Sequence, residues 1–184
     1  MDNVIFSEQA SALRDFFASV DAEDLRTASA GISRHFNLPM TGETDWREVE
    51  YDFNRLFVGP AAIPAPPYAS AYAEKPQLMG KATLEVREAY RALGLEVPDM
   101  NATPDDHLAF ELDAVTALGC EKDADEAVER LKAWFIGEHM NGWIPCFAAA
   151  VQEQSGVSEP VMLAVEALTR WLKSAQAEAG LIKS

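Results

Sequence analysis

Cysteine, positive charge and long apolar runs are all scarce in this chain of 184 residues. Its two cysteines, Cys120 and Cys146, are too few for a disulfide scaffold and stand in no C-x-x-C or zinc-ligand spacing, so a reducing compartment, the cytoplasm, is the expectation. Lys and Arg number 15 against 30 Asp and Glu, a formal net charge of −15. Nucleic-acid binding rests on Lys and Arg displacing counterions from phosphates, so the charge argues against it and points to basic partners. The longest unbroken apolar run, Cys146 to Val151, is far short of the ~20 residues that cross a bilayer. The start, Met1-Asp2-Asn3-Val4, carries an acid where a secretory signal has positive charge, which predicts no export. Glycine-rich phosphate loops and a G-x-S-x-G nucleophile turn are missing as well.

What is present is helical periodicity. Leu13, Phe16, Phe17 and Val20 recur at i, i+3, i+4, i+7, which predicts a helix over residues 4–20. Asp21 is placed to cap a second helix reaching Phe36, where Leu38-Pro39 and Thr41-Gly42 break it. Asp45 opens a third, with Trp46, Val49, Phe53, Leu56 and Phe57 on its apolar face, that Gly59-Pro60 ends. A fourth over 81–93 has Val86, Tyr90 and Leu93 on one stripe and Gly94 as its C-terminal cap. Thr103-Pro104-Asp105-Asp106 reads as a helix start, Thr as N-cap, Pro at the first position and acids in the first turn, for a helix from Pro104 to Gly119. Asp123 or Asp125 begins the next, running to a break at Asn141-Gly142. A further helix, Trp143–Glu153, has Pro145 in its first turn, and Ser158 caps a last one striped by Val161, Val165, Leu168 and Leu172. No stretch alternates with period 2, and the fold class is all-α: one helical domain over residues 1–184, of about eight helices.

Residues 59–76 interrupt the pattern. Five prolines (Pro60, Pro64, Pro66, Pro67 and Pro76) exclude helix and predict a long loop, a feature that in compact domains is commonly functional. Tyr51, Phe53, Phe57, Tyr68 and Tyr72 could line a peptide groove. Phe53 and Phe57 fit the core better, whereas Tyr68 and Tyr72 stand on the proline-rich loop. Trp46, Trp134 and Trp171 read as core, and Trp143 fits either role.

His107 and Glu111, i and i+4 on one predicted helix face, are candidates for metal ligands or an acid/base pair, but His35, at the end of the second helix, and His139, far along the chain, do not complete a metal site. A catalytic zinc site needs three protein ligands. The plainer alternative is that Asp105 and Asp106 cap the helix while His107 and Glu111 pair on its surface. No cofactor and no metal is nominated.

Three blocks together resemble the TorD/DmsD/NarJ family of redox-enzyme maturation chaperones. Arg55-Leu56-Phe57-Val58-Gly59-Pro60 followed by Pro66-Pro67-Tyr68-Ala69-Ser70-Ala71-Tyr72 is similar to the family's R-L-F-x-G-P and P-P-[YW]-x-S-x-[YW] signature. Pro104-Asp105-Asp106-His107-Leu108 with Glu111-Leu112 is similar to P-D-H-[LI]-x-x-E-L. Glu138-His139 with Trp143, Pro145 and Phe147 resembles the looser H-x-x-x-W-x-P-x-F element. The resemblance implies a cytoplasmic, non-enzymatic chaperone that binds the N-terminal leader, often a twin-arginine signal, of a molybdoenzyme catalytic subunit until its cofactor is inserted. It implies a peptide site made from Tyr68, Ser70, Tyr72, Pro104, Asp105, Asp106, His107 and Glu111. In that picture Asp105, Asp106 and Glu111 present carboxylates to basic leader residues, Tyr68 and Tyr72 hold its apolar segment, and His107 orients a carboxylate or bonds the peptide backbone. Replacing Asp106 and His107 by Ala should then abolish binding with little loss of helix. Family members exchange helices between protomers, so a swapped homodimer is open to the chain. The rivals are a chaperone of a non-exported subunit, as in the NarJ branch, and a small all-α metalloenzyme using His107 and Glu111.

Overall fold

The computed structural model describes residues 3–60, 62–76, 79–95, 103–120 and 126–178. Among them the α-helices are α1 (Asn3–Phe17), α2 (Ala22–Phe36), α3 (Trp46–Phe53), α4 (Lys81–Ala92), α5 (Leu108–Cys120), α6 (Glu126–Lys132), α7 (Asn141–Gln152) and α8 (Glu159–Glu178). No strand occurs among these residues, and no helix is long and apolar enough to cross a membrane.

Helix α1 is the centre because its apolar stripe is wide: Phe6, Ala10, Leu13, Phe16 and Phe17 are all buried, against α2, α5 and α8. Phe6 stacks on Trp171 of α8, ring centroids 5.3 Å apart. The stripe stops earlier than its spacing predicts. α1 ends at Phe17, and Val20 is 80% exposed, its N–H turned to Asp24 Oδ2 at 3.2 Å. The reason is local: Asp21 Oδ1 accepts from the N–H groups of Glu23 and Asp24 at 3.0 and 2.9 Å, and this cap for α2 requires extended backbone ahead of it.

Helix α3 widens into a π-helical turn, Asn54–Val58, closed by Gly59 N–H on the Asn54 carbonyl at 2.9 Å. That extra residue per turn lets Phe53, Leu56 and Phe57 all face inward. Phe16, Phe17, Phe53, Phe57 and Phe147 meet edge to face there, with Phe53 and Phe57 at 5.1 Å and 77°. Buried Asp52 ties α3 to α8: its carboxylate accepts from Arg55 at 2.5 Å and from both the N–H and hydroxyl of Ser158, at 2.8 and 3.0 Å. Ser158 does precede α8, but its hydroxyl serves Asp52. The stripe Val161, Val165, Leu168 and Leu172 is buried as its spacing predicts, and Gly94 takes φ +68° after α4.

The expected break at Asn141-Gly142 does not occur. α6 continues through a π-helical segment, Ala133–Met140, directly into α7, so the eight α-helices form seven rods. Pro145 lies inside α7 one turn beyond the π segment, where the backbone ladder is already shifted in register. The expected start of α6 at Asp123 or Asp125 lies outside the described residues. Trp171 is fully buried as expected, while Trp46 and Trp134 are half-buried against the core. Residues 62–76 carry a single 3-10 turn, Ala69–Tyr72.

Candidate functional site

Helix α5 begins at Leu108, four residues later than its sequence suggests. Pro104–His107 form a turn, with His107 N–H on the Pro104 carbonyl at 3.2 Å. The polar groups of this turn are spent on the proline-rich segment instead of a helix. Tyr68 and His107 form an antiparallel bridge, in which Ala69 N–H donates to the Asp106 carbonyl (3.1 Å) and Leu108 N–H to the Pro67 carbonyl (2.9 Å).

The two aspartates complete this latch. Asp106 is fully buried; Oδ2 accepts from Ser70 N–H at 2.7 Å and Oδ1 from the Thr83 hydroxyl at 2.8 Å. Asp105, also buried, is gripped bidentately by Arg87 at 2.6 and 2.9 Å, and its carbonyl accepts from the Tyr90 hydroxyl at 3.0 Å. One turn into α5, fully buried Glu111 accepts from His139 at 2.6 Å and from Trp143 Nε1–H at 3.0 Å. The resemblance cast these three carboxylates as groups offered to a basic peptide. Here each of their six oxygens already has an internal partner, so these carboxylates brace the backbone around the site. Neither helix-capping acids nor a His107–Glu111 surface pair is found: His107 precedes the helix and Glu111 belongs to His139. Among the described residues no cluster of three or more His, Cys, Asp or Glu side chains is arranged to hold a metal ion.

The expected residues therefore divide. Tyr68 and His107 stand edge to face at 5.0 Å and line a cavity of about 310 Å³ whose apolar walls are Phe17, Phe53, Phe57 and Phe110. Ser70 is buried with its hydroxyl unpartnered, and Tyr72, half-buried, stacks on Trp143 at 5.8 Å with its hydroxyl likewise unpartnered. Pro104 starts the turn. Sequence reasoning missed Arg87, Thr83 and Tyr90, although they recur at i, i+4, i+7 on α4, the one signal that three hydrogen-bonding groups share a stripe with buried Val86. His139 and Trp143 carry a comparable i, i+4 signal.

Burial lowers the His107 pKa to about 4, against a smaller upward pull from Asp106. At neutral pH the ring is uncharged. Its Nδ1 accepts from Ala109 N–H at 3.2 Å, so the proton sits on Nε2, the ring's uncommitted donor. A depressed histidine contributes stability that is present above 6.5 and lost as pH falls to about 4, in all about 3 kcal/mol. The wild type minus His107→Gln difference in urea unfolding free energy is expected to shrink by that amount between pH 7 and pH 4. A difference that stays constant across the interval would refute the assignment of a buried neutral ring.

An all-helical protein in which a Pro-Pro-Tyr segment is latched to an Asp-Asp-His turn above an aromatic cavity is the class these observations define. The sequence profile of the family described as nitrate reductase delta subunit matches residues 18–149. The Tat proofreading chaperone DmsD of Salmonella typhi is 31% identical over 166 residues, covering 89% of this chain and 72% of that protein. The chaperone protein TorD of Vibrio cholerae serotype O1 (strain M66-2) is 35% identical over 107 residues, 55% of this chain and 49% of its own length, so the match spans about half of that relative. A crystal structure of a putative redox enzyme maturation protein from Archaeoglobus fulgidus has the same fold, with a TM-score of 0.62 at 22% identity over 92% of this chain and 93% of that one. The chain belongs to the TorD/DmsD/NarJ family of redox-enzyme maturation chaperones.

Proposed function

We propose that the protein is a cytoplasmic chaperone that holds the N-terminal leader of a molybdoenzyme catalytic subunit while its cofactor is inserted, and that it catalyses no reaction itself. The observation that carries this reading is the cavity between the two latched motif blocks, with Phe17, Phe53, Phe57 and Phe110 in its walls, Tyr68 and His107 on its lining and an uncommitted donor in His107 Nε2–H. An extended peptide presents main-chain carbonyls that such a donor can meet and apolar side chains that such walls can bury. The net charge of −15 draws a basic leader to the protein from a distance, a contribution to encounter rate more than to final affinity. The carboxylates of Asp105, Asp106 and Glu111 act here through position, holding the Tyr68 and His107 backbones in register.

Purifying the tagged protein from anaerobically grown native cells, with mass spectrometry of the co-eluting chains and of their N-termini, tests the proposal. Recovery of a molybdoenzyme subunit with its leader intact from the wild type, and its loss from a Tyr68→Ala/His107→Ala variant of unchanged helix content, is the expected result. The leader's own sequence then distinguishes a twin-arginine client from a non-exported one. A wild type that recovers no such subunit in cells expressing one would refute the reading. Release must follow maturation, so a dissociation constant near micromolar, roughly 8 kcal/mol of binding, is the affinity such a role needs.

A further inference from the structure

We propose that Tyr72 is the plug of a gate: residues 71–76 swing on the latched turn at Ala69 and Ser70, lifting the Tyr72 ring off Trp143 and opening the cavity toward α7. The hinge is set by where the hydrogen bonds stop. Ala69 and Ser70 N–H are both held by Asp106, at 3.1 and 2.7 Å, and the Pro67 carbonyl accepts from Leu108. Ala71 N–H then meets the Tyr68 carbonyl at 3.1 Å. Beyond Tyr72 the ties end: Ala73, Glu74, Lys75 and Pro76 are all exposed and make no hydrogen bond or ion pair among the described residues. A segment so poorly tied opens locally at a fraction of the free energy of global unfolding.

Only the Tyr72 side chain keeps this segment down, and its fit is mixed. The ring stacks on Trp143 at 5.8 Å and 23° and stands edge to face with Phe147 at 6.3 Å and 86°. Its hydroxyl is buried without a partner among the described residues, as is that of Ser70, a residue 1% exposed. A hydroxyl taken out of water with nothing to bond opposes burial. Ring contact therefore favours the closed gate, and rehydration of the Tyr72 hydroxyl favours the open one. Trp143 is the fixed seat, because its Nε1–H is held on Glu111 at 3.0 Å.

What the gate uncovers joins the cavity. Phe147 stands 5.7 Å from both Phe17 and Phe57, two of the cavity walls. With Tyr72 lifted, the faces of Trp143 and Phe147 continue that apolar wall, and the volume of about 310 Å³ is that of the closed form. A ligand that needs the longer surface binds more weakly by the fraction of molecules whose gate is open. The gate concerns the reach of the cavity and does not depend on whether its occupant is a leader.

The test titrates Nile red, an uncharged apolar dye, against the full chain as wild type, Tyr72→Phe and Tyr72→Ala, following dye fluorescence and the Trp143 indole N–H resonance. Tyr72→Phe keeps the ring and deletes the orphan hydroxyl, so it should bind the dye about tenfold more weakly than wild type and unfold at higher urea. Tyr72→Ala removes the plug and should bind about tenfold more tightly, with the Trp143 resonance moving as the dye saturates. The sign is diagnostic, since a plain apolar pocket would take the dye at least as well after losing a hydroxyl. Dye binding to Tyr72→Phe as tight as to wild type, a lower urea midpoint in that variant, or no dye binding to Tyr72→Ala overturns the gate. So does binding that leaves the Trp143 resonance unmoved. Failure of the client capture described above strikes the leader reading and leaves the gate standing.

Discussion

Asp106→Ala is expected to lower the unfolding free energy by about 3–4 kcal/mol, whereas Asp106→Asn should cost no more than about 1 kcal/mol. The difference follows from the two donors that meet this carboxylate in a fully buried place. Alanine leaves Ser70 N–H and the Thr83 hydroxyl without acceptors, and each buried orphan costs ~1–3 kcal/mol. Asparagine keeps a carbonyl oxygen for Ser70 N–H. Its amide can donate to Thr83 Oγ1, because a hydroxyl rotates to accept as readily as it donates. Urea denaturation of the two variants decides the matter; equal losses would mean that the carboxylate's charge, not its hydrogen bonds, holds the latch. The expectation that replacing Asp106 and His107 by Ala abolishes binding with little loss of helix therefore carries a stability cost that helix content does not report. Asp106 joins the Ala69–Tyr72 turn, α4 and the α5 entry, so its removal loosens three pieces of backbone at once, and loss of peptide binding in that variant would report on the frame as much as on contact.

Glu111→Ala should be at least as costly, about 3–5 kcal/mol, since it strands His139 and the Trp143 indole N–H in the interior. A finer result is expected from Glu111→Gln. Burial raises the Glu111 pKa above 4.5, opposed by His139 and Trp143. For His139, burial works against the charged ring, and the carboxylate 2.6 Å away outweighs it, so its pKa is raised above 6.5. Both members hold their protons more tightly folded than unfolded. The stability they contribute is therefore lost as pH rises, with the His139 part fully present below 6.5 and disappearing as pH climbs through its raised value. Wild-type stability is expected to decline on the alkaline side of 6.5. In Glu111→Gln, where the amide bonds a neutral His139, that decline should vanish and the His139 ring resonances should titrate at lower pH. An identical alkaline slope in wild type and variant would show that the pair does not share a proton.

Much of the scaffold was legible in one dimension because helices bury stripes. Phe16 and Phe17, Val86 and Tyr90, and the Val161 to Leu172 series stand at spacings that turn to one side at 3.6 residues per turn, and no other backbone geometry buries them together. Asp21 and Asp45 announce their helices because an N-cap needs only atoms two or three residues away. Val20 and Asn141-Gly142 misled for the same reason in reverse. The period continues past Phe17 although a cap intrudes, and a π segment carries one rod through two residues that ordinarily end a helix.

The roles of the acids were not legible. Asp105, Asp106 and Glu111 are three carboxylates near a proline, a pattern equally suited to capping a helix, offering charge to a ligand or bracing a core. Which of these holds depends on Arg87, Thr83 and Ser70 for two of them and on His139 and Trp143 for the third, partners 18 to 36 positions away in the chain. Short-range rules determine what a residue does for its own helix, and so the all-helical class, the stripes and most boundaries were written in the order of side chains. Whether a buried charge faces a ligand or a neighbour is settled by which segments the closed core brings within 3 Å, and that was decided only when the proline-rich segment folded back over the entry to α5.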